Sequence, residues 1–244
     1  MQHESASAGQ APSLLQEGLS SSFWAHQAPQ GTRPQDPPAD ASWLVKPEDA
    51  EPLRWALQDT TDWLERAVIG LNLCPFAKSV HVKGQIRTVA SLTDDPVEVL
   101  EHVKRELQWL AAQPAELLDT TLLVFPCALP DFLDFNDWLD PADQILHQLG
   151  LEGELQIASF HPKFQFAETS VHDISNYTNR TPYPTLHLIR EESLDRAVEA
   201  FPEAEAIFEA NIDKLEEMGM PGWKALDIQA HVDAKGRCPA HGKD

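Results

Sequence analysis

The sequence predicts an α/β fold: a single compact domain with about four strands in a mostly parallel sheet and helices on its flanks. Segments with apolar residues at helical spacing alternate along the chain with short runs typical of strands. The segments between the runs are long enough to form the helical crossovers that parallel strands require. Hydrophobic residues make up 42% of the 244 residues, which is enough to form a packed core.

The elements follow in order. A helix is predicted from residue 55 to about 71, with Gly70 as its stop signal, and a strand at 85–91. The next helix starts at Pro96 behind acidic capping residues. The remaining predictions are a buried strand at 120–125, a helix opened by Asp131 with a candidate break at Asp140-Pro141, strands at 154–160 and 185–189, and a terminal helix over 204–215.

Composition divides the chain into three regions. Residues 1–48 are rich in Ser, Pro and Gln without a sustained period, which predicts a flexible tail. Residues 52–224 hold the predicted elements and form the α/β domain, and residues 225–244 form a polar C-terminal tail.

The bulk charge constrains the partners. A net charge of −21 argues against nucleic-acid binding, because backbone phosphates require a basic face. No apolar run approaches the about 20 residues of a membrane helix, and the start of the chain lacks the features of a secretory signal. Three cysteines do not form a disulfide framework. We therefore expect an acidic, soluble, cytoplasmic protein that binds neither nucleic acid nor membrane.

One segment departs from the acidic average. No Asp or Glu occurs from Arg66 to Thr93, while Lys78, Lys83, Arg87 and His81 lie inside this window. A basic patch on an acidic protein focuses small anions, although a window of this kind also arises by chance. The window favours an anionic ligand.

Cys74 is the first candidate catalytic residue. Pro75 suits the first position of a short helix, so Cys74 is expected at the N-cap, facing free amides, with Lys78 one turn further on. Such surroundings lower the pKa of a thiol and activate it as a nucleophile. The alternative is a buried structural cysteine. Asn72, just before Cys74, is a candidate binding residue.

His161 is the second candidate catalytic residue. It follows the third strand, and ligands bind beyond the carboxyl ends of parallel strands. A general acid/base role and a satisfied, half-buried histidine remain equally open. Lys163 supplies a nearby cation for binding.

The segment Asn176–Pro184 is the richest in polar groups. Its amides and hydroxyls offer hydrogen bonds, and Arg180 presents a planar fork for a carboxylate or phosphate. A structural loop in which Arg180 pairs with Asp173 is the alternative. The candidate binding residues here and on the following strand are Asn176, Asn179, Arg180, Tyr183 and His187.

No metal site is predicted. His231, Cys238 and His241 lack the paired spacing of a structural zinc site. Nucleotide-binding and metallohydrolase motifs do not occur, and the cofactor, if any, is left open.

Three blocks together resemble a known family. They are Gly70–Lys78, Phe160–Phe166 and Asn176–Glu191. In this order they are similar to the bacterial and plant domain-of-unknown-function family 1415, over about residues 55–224. The resemblance implies that both tails lie outside the shared domain and that a site should be sought in the three blocks. It implies no activity.

The function predicted from the sequence is that of an enzyme. It would act on a small anionic metabolite by acid/base or thiol-assisted group transfer or hydrolysis. Two alternatives remain: a non-catalytic binding or regulatory module for a small anion, and a protein-interaction scaffold. The substrate and the oligomeric state are left open.

Overall fold

The computed structural model of the chain describes residues 50–200, 206–233 and 235, so the tail predicted at 1–48 lies outside the described residues. Helices cover both faces of one four-stranded sheet. A π-helix, Leu64–Ile69, continues α1, and a 3-10 helix, Ile174–Thr178, precedes β4. The strands are β1 Ile86–Ala90, β2 Thr120–Val124, β3 Leu155–Phe160 and β4 Thr185–Arg190; the helices are α1 Ala50–Trp63, α2 Ala77–Val82, α3 Pro96–Ala112, α4 Phe132–Gln148, α5 Glu191–Ala200 and α6 Ala206–Ala225.

The sheet is mixed, so the prediction of a mostly parallel sheet was wrong. The strand order is β1-β2-β4-β3; β1 and β2 are parallel, whereas β4 runs antiparallel to both its neighbours. The chain between β3 and β4 contains only the short 3-10 helix, with no crossover helix to return it to the end of the sheet where β3 began. β4 therefore starts at the end of the sheet where β3 stopped and runs antiparallel to it.

The larger core lies between the sheet and helices α3 and α4, on what we call the α3–α4 face. Its centre is formed by side chains with essentially no exposed surface. Complete burial of an aliphatic or aromatic side chain stabilises a fold by about 1.5–3 kcal/mol. The fully buried residues here include Val103 and Leu107 of α3, Leu123 of β2, Phe135 of α4 and Leu188 of β4.

The opposite face of the sheet packs against α1, the π-helix and the end of α6, and we call it the α1–α6 face. Leu122 belongs to one apolar cluster with Trp63, Leu64 and Ala67, and Trp223 packs at its margin. The chain stays packed beyond α6, because Leu226, Ile228 and Val232 join the two apolar clusters of this face. The ordered domain thus continues past residue 224, into the segment predicted as a polar tail.

Capping residues begin the two helices of the α3–α4 face. Asp95 is the N-cap of α3 with Pro96 behind it, and its carboxylate accepts from Val97 N at 2.9 Å. Asp131 caps α4 in the same way. Both predicted starts are confirmed. The break at Pro141 does not occur, since α4 continues through it to Gln148, held against the core by the apolar residues that flank the proline.

The π-helix ends at Gly70, the predicted stop signal. A glycine is needed there because the backbone of Arg66 lies very close to its Cα. Its φ and ψ of −62° and −40° suit any residue. However, a Cβ at this position would lie 2.3 Å from the carbonyl oxygen of Arg66. Two residues later Asn72 takes a left-handed φ of 55°, a conformation that asparagine tolerates better than most residues. The turn out of the π-helix therefore depends on Gly70 and Asn72.

None of the helices in the described part of the chain is long and apolar enough to cross a membrane.

Candidate functional site

Strands β1, β2 and β3 run in the same direction and end at one edge of the sheet, where β4 begins. In sheets with parallel strands, ligands bind beyond this carboxyl edge, because the connecting loops converge there. Above the ends of β1 and β2, on the α1–α6 face, lies an apolar cluster formed by Ala56, Val124, Tyr183 and Val232, with Ala90 at its margin.

A buried carboxylate, Asp59 of α1, adjoins this cluster. Its side chain is 3% exposed. It accepts hydrogen bonds from the Tyr183 hydroxyl, from His231 N at 2.8 Å and from His231 Nδ1 at 2.6 Å. A buried charge is tolerated when it is paired and hydrogen-bonded in this way. Asp59 therefore holds His231 through both its main chain and its ring.

Tyr183 completes the hydrogen-bond cluster. Its hydroxyl donates to Asp59 and accepts from Val232 N at 3.0 Å. Burial, followed by the hydrogen bond to Asp59, raises the pKa of Tyr183 far above its usual range. The phenol therefore remains a protonated donor and fixes the orientation of the carboxylate.

The His231 ring lies at the surface side of the cluster. It stacks on Trp55 with 4.4 Å between ring centroids, and its side chain is 32% exposed. Because Nδ1 faces the carboxylate it carries the proton, which leaves the Nε2 lone pair free. Among the described residues Nε2 has no hydrogen-bond partner. A buried carboxylate on one ring nitrogen and a free lone pair on the other is the arrangement of a general base.

The segment that carries His231 is tied to the π-helix. Arg66 Nη1 donates to the carbonyl oxygens of Leu226 at 3.3 Å and Asp227 at 2.6 Å, while its Nη2 pairs with Asp62 at 2.7 Å. Together with the packing of Ile228, these bonds fix the path of the chain from α6 to His231.

A cleft of about 220 Å³ lies beside the cluster at the same edge of the sheet. Two of its lining residues are chain neighbours of the residues that contact Asp59: Ala230 precedes His231, and Pro182 precedes Tyr183. The residues that line it are Pro162, Tyr177, Arg180, Thr181, Pro182, Trp223, Ile228, Gln229 and Ala230.

Arg180 is the cation of this cleft, and its position is fixed. Nε donates to Phe164 O at 3.0 Å and Nη2 to Val171 O at 2.9 Å, while the guanidinium carbon lies 4.4 Å from the Tyr177 ring centroid. The described contacts of Arg180 do not include an ion pair with Asp173, which was the alternative suggested by the sequence. Asp173 instead caps the 3-10 helix by accepting from Ser175, and these hydrogen bonds lower the pKa of its carboxyl.

The sequence predicted Cys74 at a helix N-cap, but the structure does not place it there. The short helix α2 begins two residues later than expected, with Phe76 as its N-cap and no side-chain cap. Cys74 is a half-buried free thiol in the loop between the π-helix and α2. The neighbouring carbonyl of Leu73 accepts from Asn211 of α6 at 2.8 Å.

His161 is fully buried on the α3–α4 face, against Phe132 and Phe135. Nδ1 accepts from Lys163 N at 3.0 Å, so Nε2 carries the proton and donates to Leu129 O at 3.1 Å. Burial lowers the pKa of His161 and keeps the ring neutral. Both ring nitrogens are therefore hydrogen-bonded within the fold, and the elements around His161 lie on the opposite face of the sheet from those around Cys74. The structure does not bring the two candidate catalytic residues together.

The two predicted asparagines of the loop hold the main chain. Asn176, fully buried, accepts from Phe166 N and Thr169 Oγ1, both at 2.9 Å, and donates to Ser170 O at 2.8 Å. The main-chain carbonyl of Asn179 accepts from His161 N at 3.2 Å. The Asn176 side chain and the Asn179 main chain therefore shape the loop that presents Arg180.

The predicted cations outside this loop are exposed. Lys78 lies on α2, and Lys163 donates to Pro130 O at 2.8 Å. Asn72 is exposed too, where its backbone makes the turn. Within the acid-free window, Arg87 forms a buried pair with Glu106 and His81 lies 3.3 Å from Glu65, so acids from outside the window neutralise part of it.

His187 of β4 projects onto the α1–α6 face between Leu122 and Ala158, with the Phe160 ring 6.3 Å away. Its side chain is half-buried. Loss of hydration lowers the pKa of His187 to about 4. The structure places it on the face of the sheet and not among the residues that line the cleft.

This burial of His187 predicts a pH-dependent stability. The unfolded chain binds a proton near pH 6.5, whereas the folded ring resists it until about pH 4. Stability is therefore complete above pH 6.5 and is lost as pH falls toward 4, by about 2 kcal/mol after discounting for partial exposure. We expect urea unfolding at pH 7.5 and 4.5 to show a smaller acid loss in His187→Gln than in the parent. Equal losses would contradict this assignment.

No group of three potential metal ligands occurs within the described ranges. Cys238 and His241, considered with His231 for a weak zinc pattern, lie outside the described residues.

Sequence reasoning missed Asp59 and considered His231 only as a metal ligand. One signal was present for Asp59: it follows Ala56 by three residues and precedes Trp63 by four, so it lies on the apolar stripe of its helix. A carboxylate on a core-facing stripe requires a buried partner. The partner is 172 residues away, and no local pattern indicates it.

A family model described as "Protein of unknown function (DUF1415)" matches residues 56–225. The match includes Asp59, Arg180 and Tyr183 and ends before His231. No curated protein and no solved structure matches the chain.

Proposed function

Because this chain belongs to the DUF1415 family, whose description assigns no activity, we propose its function from the site itself. We propose that it is an enzyme that acts on a small anionic metabolite by acid/base catalysis. His231 is the group that moves the proton, Asp59 holds its ring, and Arg180 in the adjoining cleft binds the anionic part of the substrate.

The hydrogen bond between Asp59 and His231 Nδ1 carries the proposal. It links a buried carboxylate to a histidine whose other nitrogen has no hydrogen-bond partner among the described residues, at the carboxyl edge of the sheet. In such pairs the carboxylate sets the tautomer and stabilises the imidazolium that forms when Nε2 takes a proton. His161, by contrast, uses both of its ring nitrogens in hydrogen bonds within the fold.

Acid/base chemistry is favoured over the thiol-assisted alternative. No described contact joins Cys74 to His231, Asp59 or the cleft. The binding group also suits the proposal, since Arg180 is rigidly held and needs little ordering when a ligand arrives. The net charge of −21 supports the exclusion of nucleic acid as a partner, and three cysteines without a disulfide pattern support a cytoplasmic location.

The test compares variants in a mixture of small metabolites. Purified protein is incubated with a cell extract depleted of macromolecules, and anionic compounds that appear or disappear are followed by mass spectrometry. We expect the parent to convert at least one anion and His231→Gln to convert it at least about 100-fold more slowly, as for loss of a general base. The matched control is His147→Gln, which removes an exposed histidine paired with Glu152 at 2.7 Å.

The outcomes separate the alternatives. An anion converted equally fast by the parent and by folded His231→Gln would overturn the role of His231. Saturable binding of an anion without conversion would favour a non-catalytic binding module.

A further inference from the structure

The cleft beside His231 is built mainly from apolar groups. Two aromatic rings, Tyr177 and Trp223, meet edge to face with 5.0 Å between centroids and form one wall. The other apolar lining residues are Pro162, Pro182, Ile228 and Ala230. A volume of about 220 Å³ is below the about 300–1,000 Å³ of sites for drug-sized ligands, so the body that fits is one ring or a short chain.

Arg180 is the charged residue among those that line the cleft. Its Nε–H and one N–H of Nη2 are taken by the carbonyls of Phe164 and Val171, which occupy one edge of the guanidinium. The described contacts leave the other edge, formed by Nη1 and the second hydrogen of Nη2, without a protein acceptor. Two parallel N–H groups at one edge match the two oxygens of a carboxylate.

A phosphate dianion fits the cleft less well. Phosphate sites in proteins combine several donors, usually a second cation or the amide groups at the start of a helix. Here the lining residues include one cation, Arg180, and no residue at the start of a helix. Thr181 is also engaged, since its hydroxyl donates to the carbonyl of Tyr183.

We propose that the cleft binds a small monocarboxylate with an apolar body, its carboxylate on the free edge of Arg180 and its body on Tyr177 and Trp223. This deepens the proposed function and rests on it for the chemistry, because it names the substrate class of the same site. The carbon skeleton then extends past Ala230 toward His231.

The test uses benzoate and hexanoate as probes, with inorganic phosphate and phenyl phosphate as comparisons, in calorimetric titrations of the full chain. We expect both carboxylates to bind in the millimolar range or tighter and both phosphates to bind at least about tenfold more weakly. Ala230→Phe should fill the cleft and weaken benzoate binding at least about tenfold. Its control is Ala112→Phe, at an exposed position at the end of α3.

A second variant tests the binding edge itself. Arg180→Lys keeps the positive charge but removes the paired N–H groups, so benzoate affinity should fall although the cation remains. Because Arg180 also holds the loop, the melting temperature of this variant is measured beside its affinity. Ala230→Phe leaves Arg180 untouched and keeps the test valid if Arg180→Lys does not fold.

The possible results test the monocarboxylate assignment and the catalytic role of His231 separately. Tighter binding of phosphates, no carboxylate binding by the parent, or equal benzoate affinity in Ala230→Phe would overturn the monocarboxylate assignment. Those results would leave the proposed His231-dependent conversion of an anionic metabolite unaffected. Benzoate binding that is lost in Ala230→Phe, together with no conversion of any metabolite, would support the site and overturn the catalytic proposal.

Discussion

Replacing Asp59 with alanine is expected to lower the free energy of unfolding by about 3 kcal/mol. The substitution leaves three donors without an acceptor: the Tyr183 hydroxyl, His231 N and His231 Nδ1. The first of these is buried, and each unpaired buried donor costs about 1–3 kcal/mol. Urea unfolding monitored by tryptophan fluorescence measures the loss.

The same substitution should also loosen the chain beyond α6. With Asp59 absent, residues 230–232 keep the Tyr183–Val232 bond, the stacking of His231 on Trp55 and the packing of Val232, but lose both bonds to the carboxylate, so amide exchange there should accelerate more than in the sheet. Asp62→Ala is the control, because it removes a partly exposed carboxylate of the same helix that pairs with Arg66 at 2.7 Å. A loss for Asp59→Ala no larger than that for Asp62→Ala would contradict the buried cluster.

Gly70→Ala is expected to be the most damaging change to the backbone, with a loss of about 3 kcal/mol or more. The new methyl group would lie 2.3 Å from the Arg66 carbonyl oxygen, and this neighbour is main chain and cannot rotate away. Relief requires opening the end of the π-helix, where Gly70 N donates to Glu65 O at 2.9 Å. Thermal and urea unfolding measure the effect.

A matched glycine separates close approach from backbone strain. Gly150 has a left-handed φ of 69°, and a Cβ there would have nothing within 4 Å. Gly150→Ala should therefore cost only the strain of that conformation, about 1 kcal/mol. Similar losses for the two variants would show that the π-helix accommodates a side chain at residue 70 and that the described turn is wrong.

Much of the fold was accessible from the sequence because its signals are local. The cap formed by Asp95 and Pro96, the apolar stripe of α3 and the β-rich run at 120–124 each depend on residues within a few positions of one another. The direction of β4 was not accessible in this way. It depends on where the chain lies after β3, and the spacing between two strands does not determine that position.

The candidate site was harder to predict from the sequence, because its central contact joins residues far apart in the chain. The loop that carries Arg180 was found because its residue types are unusual, and the structure places Arg180 in the cleft. Parity along β3 placed His161 beside core residues but did not show that both ring nitrogens are satisfied. The pairing of Asp59 with His231 joins the first described helix to the segment that follows the last one, so only the folded structure reveals it.

The measurement that tests the central claim most directly is the protonation pattern of the His231 ring, read from two-bond ¹H–¹⁵N correlation spectra of the full chain. If Asp59 holds His231 for proton transfer, the neutral ring carries its proton on Nδ1, with Nε2 unprotonated, and Asp59→Asn changes this pattern. A ring that carries its proton on Nε2, or that averages between the two tautomers, would contradict the account.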